Sequence, residues 1–182
     1  MPFEFTILDA LQAPRCPVLD ALAVFFDAVG AHGELWIALT VLALAFRRTR
    51  KAGFAMALAL CLYMVSGHFI LKPLFARPRP CDIRPEMLTL VARPHGWSFP
   101  SGHTASGFAA AFALWFQNRK LGTLALLLAT FIGFTRLYLY VHFPTDILGG
   151  IALGLAAGAL GSLLTDKISN RLSNCKEVKR TV

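Results

Sequence analysis

The sequence predicts an all-α integral membrane helical bundle, with about five or six transmembrane helices and an interfacial N-terminal helix. The chain has 182 residues, of which 56% are hydrophobic, and its mean hydropathy is +0.59, which is more apolar than an ordinary soluble domain. Its formal net charge is +8, but the basic residues lie between apolar runs. That placement indicates membrane topology and argues against a nucleic-acid partner. The length predicts a single domain over residues 1–182.

The segment 1–30 is predicted to lie at the membrane interface. Residues 1–14 are mildly amphipathic and end at a proline, so we expect an interfacial helix there. The side chains expected to face lipid are Phe3, Phe5, Ile7, Leu8 and Leu11. Residues 17–29 are apolar except for Asp20 and Asp27 and are too short to cross a bilayer alone. They either lie flat in the interface or form a half-helix that turns at 30–33, and the sequence leaves both alternatives open.

The rest of the chain is divided into apolar segments, each of which predicts a transmembrane helix. They cover residues 34–46, 52–71, 101–117, 121–140 and 144–165. A polar loop rich in proline and arginine occupies residues 72–99, and residues 166–182 form a basic tail. Gly150, Gly154 and Gly158 repeat at every fourth position of the last segment. This pattern favours close packing inside the bundle over a dimer contact.

The positive-inside rule orients these helices. One set of helix ends and the tail carry most of the basic residues, and we assign that side to the cytoplasm: Arg47, Arg48, Arg50, Lys51, Arg119, Lys120, Lys167, Arg171, Lys176, Lys179 and Arg180. The opposite side is basic as well and holds Lys72, Arg77, Arg79, Arg84 and Arg93. Because these charges oppose the rule, they need another explanation, and some are expected to widen a positive field.

Other residue types give weaker expectations. The aromatic residues near the predicted helix ends form a candidate interfacial belt, consisting of Trp36, Trp97, Tyr138, Tyr140 and Phe143. Three histidines are expected to be structural, interfacial or solvated, namely His32, His68 and His95. Cys16 and Cys81 fall on the same predicted side, so a disulfide between them stays open, although the cysteine spacing shows no metal site.

The first chemically informative cluster lies where the second apolar segment ends. Lys72 and Arg79 are separated by a proline-rich stretch that stiffens the backbone between them. Basic side chains at a membrane surface often only extend towards water. That explanation accounts for one or two charges and not for a rigid, proline-spaced set. We therefore favour anion binding by this cluster.

The second cluster is Pro100-Ser101-Gly102-His103, which begins the third apolar segment. Ser101 is a good helix N-cap, and the free N–H groups of a helix start attract anions. Gly102 lets an anion approach the backbone, and His103 can exchange a proton near neutral pH. Taken alone, the same residues are equally consistent with a capped helix start that happens to contain a histidine.

The third cluster contains Arg136, His142 and Asp146. Arg136 lies about one turn inside a predicted span, where a cation calls for an anionic partner. Asp146 falls in the first turn of the last helix, a position that carboxylates favour in any case. However, a carboxylate that binds one nitrogen of His142 would leave the other nitrogen more basic. Such a histidine is a candidate nucleophile.

Together the clusters provide the parts of a phosphoryl-transfer site. Three cations and a helix start can neutralise phosphate oxygens without a metal ion. Two histidines allow one to attack phosphorus while the other protonates the leaving oxygen and then activates water. The residues alone do not settle which histidine attacks, apart from the closeness of Asp146 to His142 in the sequence.

The three clusters resemble, in order and spacing, the signature motifs of the type-2 phosphatidic acid phosphatase superfamily. A departure is Thr135, where the family pattern has serine before the arginine. The resemblance implies that His142 is the nucleophile, that Asp146 orients it and that His103 is the general acid. It implies phosphate binding by a set of five residues, Lys72, Arg79, Ser101, Gly102 and Arg136. It also implies an all-helical core and no cofactor or metal requirement.

The resemblance extends to function. The chain is similar to the membrane lipid phosphatases of the family, and most of all to those that convert undecaprenyl diphosphate to undecaprenyl phosphate and phosphate. It implies a multi-pass protein of the bacterial plasma membrane with an active site on the extracytoplasmic face. Phosphatidylglycerophosphate or phosphatidate is the alternative substrate. A non-catalytic lipid-binding or transport protein is a more remote alternative, and the oligomeric state stays open.

Overall fold

A computed structural model of the chain describes residues 2–30, 33–87 and 89–178. Helices account for most of these residues. They are α1 (Pro2–Gln12), α2 (Pro17–Gly30), α3 (Glu34–Ala45), α4 (Arg50–Tyr63), a π-helical segment (Met64–Leu71), α5 (Lys72–Phe75), α6 (Pro80–Ile83), α7 (Gly102–Gln117), α8 (Arg119–Tyr138) and α9 (Pro144–Val178). The architecture is therefore the predicted all-α bundle.

Helix α7 forms the centre of the bundle. It packs against α4, α8 and α9, and its alanines, among them Ala105, Ala109 and Ala113, are fully buried. Small side chains on α7 let its neighbours approach closely, which is how membrane helices gain packing contacts when burial from water contributes little. Both ends of helix α7 are therefore fixed in position, and its first residues are held against α9.

The glycines of α9 face α7. A Cβ atom at Gly154 would lie 2.6 Å from Phe108 Cβ and 2.7 Å from the Ala105 carbonyl oxygen. A Cβ atom at Gly158 would lie 2.8 Å from the Ala109 carbonyl oxygen. The prediction that the repeated glycines serve packing within the bundle is confirmed.

We expect Gly154→Val to destabilise the protein by about 1–3 kcal/mol, because the added side chain overpacks the α7–α9 contact. Thermal unfolding in detergent measures the effect. Ala152→Val is the matched control, since Ala152 is exposed on the same helix. Equal unfolding temperatures for the two variants would contradict the close α7–α9 packing.

Within the described residues, three helical stretches are long and apolar enough to cross a membrane, namely Arg50–Ile83, Arg119–Tyr138 and Pro144–Asn174. Helices α2 and α3, bent by 58° relative to each other, pass the same test as a pair. Helix α7 has 16 residues and is shorter than an average span. The predicted count of five or six spans therefore stays a prediction, while a membrane-embedded helical bundle is confirmed.

Two expectations about the membrane surface are wrong. Phe5 and Leu8 of α1 do not face lipid but pack with Tyr140 and Phe143 in a buried cluster. The predicted aromatic belt is mostly interior as well, because Trp36 and Tyr138 are also buried, whereas Trp97 is exposed. Hydropathy and position along a helix do not distinguish a side chain that faces lipid from one that faces protein.

The C-terminal boundary also differs from the prediction. The predicted tail comprises residues 166–182. In the part of it that the structure describes, the chain is still helical, because α9 continues to Val178 without a break after the last predicted span. Lys179 and Arg180, like His32, lie outside the described residues.

Cys16 and Cys81 are free thiols, so the disulfide between them is absent from the structure.

Candidate active site

The three sequence clusters meet at one cavity of about 660 Å³. Its wall includes the cations Lys72, Arg79 and Arg136 and the histidines His103 and His142. The residues come from the start of α5, the N-cap of α6, the start of α7, the end of α8 and the α8–α9 turn. Helix ends that converge in this way concentrate positive charge at one point, as an anion site requires.

His142 lies in the turn between α8 and α9, and its imidazole is almost fully buried. Its Nδ1 atom is 3.4 Å from Asp146 Oδ2 and 3.4 Å from Ser98 Oγ. Its Nε2 atom is 3.1 Å from Arg79 Nη1. Since the arginine only donates, Nε2 carries the lone pair and Nδ1 carries the proton.

The environment keeps this ring neutral. Burial and, to a lesser extent, the nearby Arg79 guanidinium lower the pKa of His142 to about 3, although the hydrogen bond to Asp146 acts in the opposite direction. At neutral pH the Nε2 lone pair is therefore free of a proton. A neutral imidazole with an oriented lone pair is the form that a nucleophilic histidine needs.

The carboxylate of Asp146 is held from several directions. Its Oδ2 atom accepts hydrogen bonds from the Ser98 hydroxyl and from the Phe143 backbone N–H, the latter at 2.7 Å. Its Oδ1 atom accepts from Arg77 Nη1 at 2.6 Å. These contacts fix the orientation of the carboxylate and, through it, the ring of His142.

On the opposite wall of the cavity, His103 lies beside Arg136. Arg136 Nη1 is 3.4 Å from His103 Nε2 and also donates to Asp27 Oδ1 of α2. The Thr135 hydroxyl accepts from Arg136 Nη2 at 3.2 Å, so threonine supplies the hydroxyl that serine supplies in the family pattern. Gly30 of α2 packs on His103, because a Cβ there would lie 3.1 Å from its Cδ2 atom.

The remaining predicted phosphate-binding residues differ in whether they line the cavity. Lys72 lines the cavity and its Nζ donates to the Trp97 carbonyl oxygen at 2.7 Å. Gly102 also lines the cavity, as the first residue of α7. Ser101 occupies the N-cap position, but its side chain makes no cap hydrogen bond and its hydroxyl accepts from Thr104 Oγ1 at 3.0 Å. Ser101 is fully buried and does not belong to the described cavity wall.

Several residues around the site were missed or misassigned from the sequence. Arg77 does not widen a positive field, because its Nη2 atom pairs with Glu4 Oε2 at 2.5 Å while Nη1 binds Asp146. Arg84 is likewise paired, with Asp9 at 2.8 Å. His68, His95 and Arg93 line the cavity. The only sequence signal for Asp27, the partner of Arg136, was a charge on an apolar helix.

No group of three or more histidine, cysteine, aspartate or glutamate side chains suited to a metal ion occurs among the described residues. The charged side chains that line the cavity are mainly cations, with Asp27 as a carboxylate on its wall; the cations are Lys72, Arg79, Arg93 and Arg136. This arrangement can bind a phosphate group between the two histidines.

Comparisons with known proteins identify the family of the chain. Residues 48–169 match the model of the PAP2 superfamily. Over 153 residues the chain is 29% identical to the undecaprenyl-diphosphatase of Sulfolobus acidocaldarius, covering 84% of this chain and 73% of that protein. It is 30% identical over 171 residues to a lipid A 4'-phosphatase of Porphyromonas gingivalis, covering 85% of this chain and 70% of that protein.

A solved structure gives the same result. The crystal structure of a transmembrane PAP2-type phosphatidylglycerolphosphate phosphatase from Bacillus subtilis superimposes with a TM-score of 0.76 and 26% identity, covering 92% of this chain and 86% of that chain. The family match covers more than half of the chain. The chain therefore belongs to the PAP2 superfamily, and it is a membrane lipid phosphatase.

Proposed function

We propose that this enzyme converts undecaprenyl diphosphate to undecaprenyl phosphate and inorganic phosphate, through a phosphohistidine on His142. The observation that carries the mechanism is the pair of contacts of the His142 ring. Nδ1 is held towards Asp146, and Nε2 lies beside Arg79 on a cavity wall with three further cations. That geometry suits attack by Nε2 on a bound phosphoryl group.

The proposed reaction has two steps. First, Nε2 of His142 attacks the terminal phosphorus, the bond from phosphorus to the leaving oxygen breaks, and His103 gives its proton to that oxygen. Second, His103 takes a proton from water, the water oxygen attacks phosphorus, and the bond to Nε2 breaks to release phosphate. Lys72, Arg79, Arg136 and the Gly102 backbone N–H are proposed to bind the phosphoryl oxygens throughout.

The substrate assignment is supported by the similarity to undecaprenyl-diphosphatase. A phosphomonoester on a lipid is the second candidate, since lipid A phosphatase and phosphatidylglycerolphosphate phosphatase are comparably similar to this chain. The bilayer supplies either lipid from the side of the bundle. We propose a bacterial plasma membrane and an extracytoplasmic site, because the basic ends at residues 47–51 and 119–120 favour the cytoplasm.

Release of inorganic phosphate by the purified protein in detergent tests the proposal. The panel consists of undecaprenyl diphosphate, phosphatidylglycerophosphate, phosphatidate and lipid A, each with and without a chelator of divalent metals. We expect the highest kcat/KM with the diphosphate and no loss with chelator, because protein cations neutralise the phosphate. A higher kcat/KM for a monoester would replace the proposed substrate, and binding of the lipids without turnover would favour the non-catalytic alternative.

A further inference from the structure

One polar group on the cavity wall has no part in the mechanism above. Tyr63 is the last residue of α4, it is 7% exposed, and it lines the cavity. Its ring belongs to the main apolar core. The described residues offer its hydroxyl no hydrogen-bond partner, whereas the other tyrosines, Tyr138 and Tyr140, bind Asp20 and Asp9 at 2.6 and 2.7 Å. Because Tyr63 lines the cavity and its hydroxyl has no protein partner among the described residues, that hydroxyl is available to hydrogen-bond a ligand bound there.

The hydroxyl lies beside the start of α7. A Cβ atom at Gly102 would be 2.9 Å from the Tyr63 oxygen, so the hydroxyl stands directly next to the α-carbon of Gly102. The first N–H groups of a helix have no acceptor within the helix and attract anions. A phosphoryl oxygen that accepts from these N–H groups therefore lies within reach of the tyrosine hydroxyl.

The position of the ring is fixed by its surroundings. Gly67, in the π-helical segment, makes room for the ring, because a Cβ at Gly67 would lie 2.9 Å from Tyr63 Cε2. The same Cβ would lie 2.8 Å from Leu153 Cδ2 of α9. The ring is thus confined next to the contact between the π-helical segment and α9. A π-helical segment next to a functional residue is common, and here it confines the ring that presents the hydroxyl.

We infer that the Tyr63 hydroxyl donates a hydrogen bond to an oxygen of the transferred phosphoryl group, beside the Gly102 N–H. The inference rests on the proposed function, since it adds a donor to the same site. The donor is neutral, so it orients the phosphoryl group without adding to the positive charge of the three cations. Its contribution is expected in both phosphate binding and turnover.

Tyr63→Phe removes only the hydroxyl and keeps the ring in the core, so we expect the variant to fold. A hydrogen bond to a charged group predicts a loss of about 10- to 100-fold in kcat/KM. Tyr140→Phe is the matched control, because its hydroxyl also makes buried contacts, to Asp9 and Arg84, but does not line the cavity. Unchanged kcat/KM is expected for that control.

Binding of orthovanadate, a phosphate analogue, gives a readout that does not depend on turnover. Isothermal titration calorimetry of detergent-solubilised wild type and both variants should show weaker binding, by about tenfold, only for Tyr63→Phe. Equal vanadate affinity in wild type and Tyr63→Phe, with matching thermal unfolding, would overturn the inference. Binding that depends on Tyr63 in a protein that hydrolyses none of the lipids would overturn the proposed function alone. A wild type that binds no vanadate would overturn both.

Discussion

His142→Ala is expected to lower phosphate release by at least about 10⁴-fold, which is the scale of losing a nucleophile. The physical reason is that Asp146 orients the ring of His142, so that the lone pair of Nε2 is held in place at the cavity. No other described group on the cavity wall has a lone pair oriented by a carboxylate in this way. The substitution also removes the buried neutral imidazole whose pKa is about 3. Phosphate release from undecaprenyl diphosphate, followed over time, measures the effect.

A trapping experiment separates this chemistry from a folding defect. Substrate labelled in the terminal phosphate, quenched rapidly at alkaline pH, should leave label on the wild type and none on the variant. Added imidazole should restore part of the turnover, since it can occupy the space of the missing ring. Thermal unfolding close to that of the wild type is the required control. Label retained by His142→Ala would assign the nucleophile to another residue.

His103→Ala is expected to lose about 10²- to 10⁴-fold in turnover of a lipid phosphomonoester, the usual contribution of a general acid. The leaving group of a monoester is an alkoxide, which requires a proton. The leaving group of a diphosphate is itself a phosphate and leaves readily without one. We therefore expect the rate of the first step to fall much less with undecaprenyl diphosphate than with phosphatidylglycerophosphate, measured as the rate at which labelled phosphate appears on the protein. The second step, in which His103 activates water, is common to both substrates and should slow equally.

This dependence on the leaving group distinguishes the two histidines. His142→Ala should be inactive with both substrates, because attack on phosphorus is needed in each case. A similar loss in the rate of the first step for His103→Ala with both substrates would mean that His103 binds or orients the phosphate, as its position beside Arg136 also permits.

The helical segments and the clustered site could be predicted because each depends on local sequence. The apolar runs predicted α3, α7, α8 and the continuous stretch of α4 with the π-helical segment to within a few residues, since a bilayer imposes the length and the apolar character of its helices. Lys72, Arg79, His103, Arg136 and His142 line one cavity because the helix ends that carry them meet on one side.

The supporting contacts could not be predicted because they join distant parts of the chain. Asp27 and Arg136 are 109 positions apart, and Arg77 and Glu4 are 73 apart. No periodicity links such residues, and their pairing depends on how α1 and α2 pack. The buried aromatic residues were misassigned for a similar reason. The hydropathy of a segment measures how much apolar surface it carries. It does not show whether lipid or protein covers that surface.

The ion pair between Glu4 and Arg77 shows how much of the chain contributes to the complete active site. The stretch that matches the family, residues 48–169, contains every group assigned to the chemistry. It lacks Glu4, which binds the partner of Asp146, and Asp27, which binds Arg136. A fragment trimmed to that stretch would keep the reacting groups and lose one carboxylate partner of the partly buried Arg77 and of the buried Arg136. The N-terminal helices therefore belong to the functional unit as fully as the helices that carry the motifs.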